Sequence, residues 1–150
     1  MRKLLIGTIA AAIGCAGMIN VANAGGLSAT RPVIAMLGGD LYVGEAVGHL
    51  NGAGTLAVHS QADPSITCSG EFTSSAKLGG AGELRCSDGA TATFQFKRMD
   101  AFRGYGGGTH SRGTMSFTYG LSLDQSVAYL ALPPGKKLST QGEMLTLVDF

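Results

Sequence analysis

Histidine, serine and carboxylate side chains are the usual parts of a nucleophile–base catalyst, and this 150-residue chain holds few of them together. Its histidines are His49, His59 and His110, and no two stand at a close metal-binding spacing. His110 and Ser111 are neighbours, and Asp100 and Asp124 are available as acids. Adjacent residues of a strand point to opposite faces, so this pair cannot alone form a hydrolytic couple. No Gly-x-Ser-x-Gly elbow occurs, and the ten acids are too scattered to suggest a glycosidase pair. The sequence therefore does not indicate an enzyme. A small periplasmic enzyme using His110 is the alternative reading.

No cofactor is implied either. Residues 104–109 read Gly-Tyr-Gly-Gly-Gly-Thr, with Thr109 where a dinucleotide fingerprint needs its last glycine. The turn also leads into a strand, where phosphate binding would want a helix N-terminus. Gly-Lys-Ser/Thr is absent. The two cysteines beyond residue 24 are too few for a zinc site and, once paired, leave none to help the histidines, so no metal set is expected.

Cations and aromatic rings are more concentrated. Lys97, Arg98, Arg103 and Arg112 are opposed only by Asp100, and Tyr105 and Tyr119 flank them. His110, Arg112, Tyr105, Tyr119 and Arg103 are thus the candidate ligand-binding residues. They would suit an anionic partner, such as a phosphorylated glycan or a peptide carboxylate. The competing reading is a solvated face, since Lys97 alternates with Phe96 and must point outward.

The elements that would position these residues are strands punctuated by glycine. Gly80–Gly89 and Gly104–Gly113 both read Gly-x-Gly-x-x-x-x-Ser-x-Gly, 24 residues apart, and Gly52-Ala53-Gly54 repeats the front of the motif 28 residues before the first. Short alternating stretches predict strands at 41–49, 53–60, 67–74, 81–87, 91–98, 104–110, 114–121 and 144–149, with another at 33–37. One helix is predicted over Leu123–Ala131, capped by Ser122 with Gln125 completing a capping box and stopped by Pro133-Pro134-Gly135. The expected fold is all-β with one short helix: a small antiparallel, glycine-rich barrel or sandwich of about eight strands.

The pairing can be anticipated. A hairpin centred on Lys77 sets Cys68 against Cys86, Gly70 against Leu84 and Phe72 against Gly82. A Ser87-Asp88-Gly89 loop sets Phe94 against Gly82 as well. An Arg112-Gly113 loop sets Tyr119 against Gly106, Phe117 against Gly108 and Met115 against His110. Rings over bare glycine backbone also permit the tight curvature of a small barrel.

The first residues carry a different message. Arg2 and Lys3 precede an uncharged apolar run from Leu4 to Ile19, and Ala22-Asn23-Ala24 presents small residues for a signal peptidase. The expectation is a signal peptide over 1–24 and a single β domain over 25–150. Ala11-Ala12-Ile13-Gly14-Cys15 loosely fits a lipobox, so an outer-membrane-tethered lipoprotein is the competing route, with membrane association only if Cys15 is lipidated. A terminal Phe150 after an alternating strand raises a membrane-spanning barrel, but most predicted strands are shorter than the span of about 9–11 residues.

Beyond residue 24 the chain keeps 9 basic and 10 acidic side chains, a net charge of −1, which argues against nucleic acid as a partner. Two cysteines remain, Cys68 and Cys86, and export predicts that they pair. The functional expectation is an exported β-barrel module of the bacterial cell envelope, binding or structural. It would be periplasmic or secreted, with an envelope protein or an anionic glycan as partner.

Overall fold

The computed structural model describes residues 27–75 and 78–150. The signal peptide expected over 1–24, Cys15 and Lys77 lie outside the described residues. Eight strands run in order: β1 Ser28–Leu37, β2 Asp40–His49, β3 Ala53–Ser60, β4 Thr67–Ser75, β5 Gly79–Cys86, β6 Thr91–Arg98, β7 Gly104–His110 and β8 Gly113–Tyr119. Each pairs antiparallel with the next, and β8 pairs with β1 from Val33↔Tyr119 to Leu37↔Met115. The sheet is therefore a closed barrel and not a sandwich. Closure leaves no free edge in it.

Side-chain alternation sets inside from outside. In β6 the residues Ala92, Phe94 and Phe96 are buried while Thr91, Thr93, Gln95 and Lys97 are exposed. Outward positions of β4 and β5 are Thr67, Ser69, Glu71, Glu83 and Arg85, all exposed. Apolar inside and polar outside is the reverse of a wall that faces lipid.

The interior is filled by a division of labour between strands. Phe72 on β4, Phe94 and Phe96 on β6, and Phe117 and Tyr119 on β8 carry the rings, which meet mostly edge to face at 5.2–6.4 Å between centroids. The strands between them carry glycine. A Cβ on Gly82 would stand 2.6 Å from Cζ of Phe94, and one on Gly106 would stand 2.7 Å from the ring of Phe117. Eight-stranded barrels are only just wide enough inside for side chains. These five rings fit together because Gly80, Gly82, Gly104, Gly106 and Gly108 face them from the strands between.

Turn chemistry joins the strands. Gly38 and Gly39 take φ of 58° and 87°, the left-handed pair that a two-residue hairpin between twisted strands requires. The repeated motif recurs in space. Ser87 Oγ accepts the Thr67 N–H at 3.1 Å, and Ser111 Oγ accepts the Thr91 N–H at 2.8 Å. The repeat's serine therefore ties each turn to the strand before its own.

The β4–β5 register is the expected one, with Cys68↔Cys86, Gly70↔Leu84 and Phe72↔Gly82, and Phe94 pairs with Gly82. Cys68 and Cys86 form a disulfide, S–S 2.03 Å. The β7–β8 register differs from expectation. The turn is Ser111-Arg112, so Gly104 faces Tyr119, Gly106 faces Phe117 and Gly108 faces Met115, while His110 faces Gly113. The cause is local: the Arg112 N–H donates to Nδ1 of His110 at 3.1 Å, and the positive φ of 145° falls on Gly113 beyond the turn.

One outer sector of the barrel is covered. The helix is shorter than expected: α1 spans Leu123–Ser126 and continues as a 3-10 turn over Val127–Tyr129. Its capping box of Ser122 and Gln125 is present. Ser126 is fully buried, its hydroxyl 2.8 Å from that of Thr118 on the outer face of β8. A separate hairpin of β9 Lys136–Gln141 and β10 Met144–Asp149 follows. Leu138, Leu145 and Leu147 from it pack with Leu130 and Leu132 against Ile34, Met36 and Leu41 on the outside of β1 and β2.

Candidate ligand-binding site

The two ends of the barrel differ. One end, formed by the Gly38-Gly39, Asp88-Gly89 and Ser111-Arg112 turns, is filled. Leu37, Tyr42, Cys68, His110 and Met115 are all buried there, and Arg112 reaches Asp88 at 3.1 Å across the rim. Burial, and after it the Arg112 charge, holds the His110 imidazole below its ordinary 6.5, against the opposing pull of Asp88 and Asp40. Because Nδ1 accepts the Arg112 N–H, we assign the ring proton to Nε2, which is buried with no partner among the described residues. Burial likewise raises the Tyr42 hydroxyl, with Asp88 adding to the effect.

A pH dependence follows from the neutral ring. Above 6.5 both folded and unfolded chains hold His110 uncharged. Below it the unfolded chain takes up the proton first, so stability must fall as pH falls. Asp88 and Asp100 lie below their ordinary 3.8, so their losses come only at lower pH. Urea midpoints should therefore decline between pH 6.5 and about 4.5, and His110→Gln should flatten that limb. A wild-type midpoint that does not move across this window would show that the ring is not held neutral by burial.

The other end is open. A cavity of about 480 Å³ enters the barrel there, within the usual size of small-molecule sites. Its floor is Phe72, Phe94, Phe96 and Phe117, and Val33, Ala46 and Leu56 form its walls. Alternation explains the polar groups at its mouth. Val33, Ala35 and Leu37 face inward, so Arg31 two residues earlier does too. Phe94 and Phe96 face inward, and so does Arg98. Both arginines line the cavity at the rim.

Neighbouring residues hold them in place. The Arg31 guanidinium lies 4.5 Å above the ring of Phe102, and Arg98 donates to Ser74 Oγ at 3.3 Å. Neither forms an ion pair with a carboxylate among the described residues. The acid in the adjoining loop, Asp100, is engaged elsewhere. It accepts the Phe102 N–H at 2.8 Å and Arg103 Nε at 2.7 Å. These bonds hold its carboxyl below the usual range. The Tyr119 hydroxyl is buried over Gly104 without a hydrogen-bond partner among the described residues, and burial raises its pKa. Leu27, Leu50 and Phe102 are exposed around the opening.

The residues singled out from the sequence are thus divided. Tyr119 lies in the cavity and Arg103 in the loop beside it, bound to Asp100. Tyr105 is on the outer wall, stacked on Tyr129 at 4.2 Å. His110 and Arg112 sit at the filled end, so the barrel separates them from Tyr119 and Arg103 instead of forming one basic patch. Ser111 is engaged with Thr91, both to its N–H and, at 3.1 Å, to its carbonyl. No group of three or more metal-binding side chains occurs among the described residues. Arg31 was not picked out. Its signal is the spacing of two from Val33, and the strand expected at 33–37 begins after it. Pro32 is tolerated because it falls one residue outside the β1–β8 ladder.

No family model, curated protein or solved structure matches the chain.

Proposed function

We propose that this chain is an exported binding barrel of the bacterial cell envelope, which takes an apolar small molecule into its open end. The observation that supports this is the cavity itself. It is walled by aromatic and aliphatic side chains, opens through a rim of exposed leucine and phenylalanine, and carries a few polar groups on one side. That composition is the common one for ligand sites, where apolar area supplies affinity and a few polar groups fix orientation. The export reading rests on the charged and apolar leader with its Ala-x-Ala site, and the disulfide is compatible with an oxidising compartment. An anionic glycan fits less well, because the cavity offers rings and leucines where sugar hydroxyls would need partners.

The test is titration of the protein, lacking residues 1–24, with an environment-sensitive apolar fluorophore. Saturable one-to-one binding is expected. Ala29→Trp should reduce it at least tenfold, since residue 29 lies at the half-buried mouth and the change leaves the core alone. Absence of saturable binding by the unmutated protein would overturn the proposal.

A further inference from the structure

We infer that the ligand of the open end is an amphipathic organic anion, whose head group is held by Arg31 and Arg98 and whose single tail or ring system enters the aromatic floor. This rests on the binding-barrel reading above and names the chemistry of its ligand.

Three observations converge. First, the two guanidinium groups stand at inward-facing rim positions of strands that are not neighbours, β1 and β6, and both line the same cavity. Second, the charge is uncompensated. Asp100 is committed to Arg103 and to its own loop, and neither Arg31 nor Arg98 has a carboxylate partner among the described residues. Third, Tyr119 lines the same cavity, and its hydroxyl is buried over Gly104 with no hydrogen-bond partner among the described residues. Two guanidinium groups can together donate to a carboxylate or phosphate oxygen pair, and arginine's planar fork matches both geometries. At about 480 Å³ the cavity has room for one acyl chain or a small ring system and not for a two-chain lipid.

Carboxylate and phosphate heads share this chemistry, and a matched twelve-carbon series separates them from the alternatives. Laurate, dodecyl phosphate, dodecanol and dodecylamine are titrated by isothermal calorimetry or by displacement of the fluorophore, each below its micelle concentration. The two anions should bind roughly tenfold or more tighter than the alcohol, and the amine weakest. The ratio of laurate to dodecyl phosphate then names the head group.

Arg31→Gln and Arg98→Gln together should bring the anions to the affinity of the alcohol while leaving the alcohol unchanged. Alcohol binding is the control that the variant is folded. If that variant does not fold, the single changes Arg31→Gln and Arg98→Gln should each remove part of the anion preference. An alcohol that binds the unmutated protein as tightly as laurate would overturn the inference and leave the apolar site standing. A double variant that keeps the full preference for anions would also overturn it. Failure of all four compounds would instead overturn the binding-barrel reading.

Discussion

Valine at Gly106 is expected to cost the fold about 3 kcal/mol, read as a lowered urea midpoint with unchanged slope. The first added carbon would meet the Gln95 carbonyl oxygen and, at 2.7 Å, Cε1 and Cζ of Phe117. Phe117 cannot retreat, because Phe94 packs on it at 5.2 Å and Phe96 at 6.4 Å between centroids. The collision therefore passes into the ring cluster and not into solvent. Phe117→Leu in the same chain should recover part of the loss, since the ring is one of the two groups struck. Gly48→Ala is the matched control. It lies in β2 with no atom within 4 Å of a built Cβ and no positive φ, so it should be neutral or stabilise by up to about 1 kcal/mol. Equal midpoints for Gly106→Val and Gly48→Ala would mean that the rings do not rest on glycine backbone.

Loss of the disulfide should cost a similar amount. Cys68 and Cys86 are separated by 18 residues, and opening a loop of that size removes about 3 kcal/mol if the unfolded chain gains the corresponding freedom. The paired change Cys68→Ala with Cys86→Ala should lower the melting temperature, and reductant should do the same to the unmutated protein and nothing to the variant. Ligand binding should survive below the melting point, because the bridge lies at the filled end and the cavity at the other. A protein that melts identically with and without reductant would remove the bridge from the stability of the barrel.

Much of the barrel was legible because glycine and aromatic residues alternate by strand. The pairing of Phe72 with Gly82, and of Cys68 with Cys86, follows from matching large to small across one hairpin. Failures have equally local causes. Gly113 looks like a turn residue, which puts the expected β7–β8 turn one residue later than the observed Ser111-Arg112 and shifts every partner by two. β9 was missed because Lys136-Lys137-Leu138-Ser139-Thr140-Gln141 has a single apolar residue to declare its buried face. The helix is shorter than its pattern suggests because its later residues form a 3-10 turn that ends at Tyr129. The cavity was the least legible feature. Arg31 and Arg98 are 67 positions apart by number and come together only when the sheet closes.

That closing seam has a consequence for how the molecule is made. Seven of the eight strand pairings join neighbours along the chain, and each can form as a local hairpin. The eighth, β1 with β8, must wait until residue 119 is available, and non-local contacts of this kind slow folding. Until then the sheet is an open ribbon with a phenylalanine-rich face and two bare edges, the sort of surface that associates with other chains. Residues 122–149 answer this in kind. Ser126 fastens to Thr118 on β8, and the leucines of β9 and β10 lie across Ile34 and Met36 on β1, so the segment clasps both sides of the seam. A clasp that engages only after closure does little for the rate of assembly and acts instead on the rate of opening, lengthening the lifetime of the finished barrel.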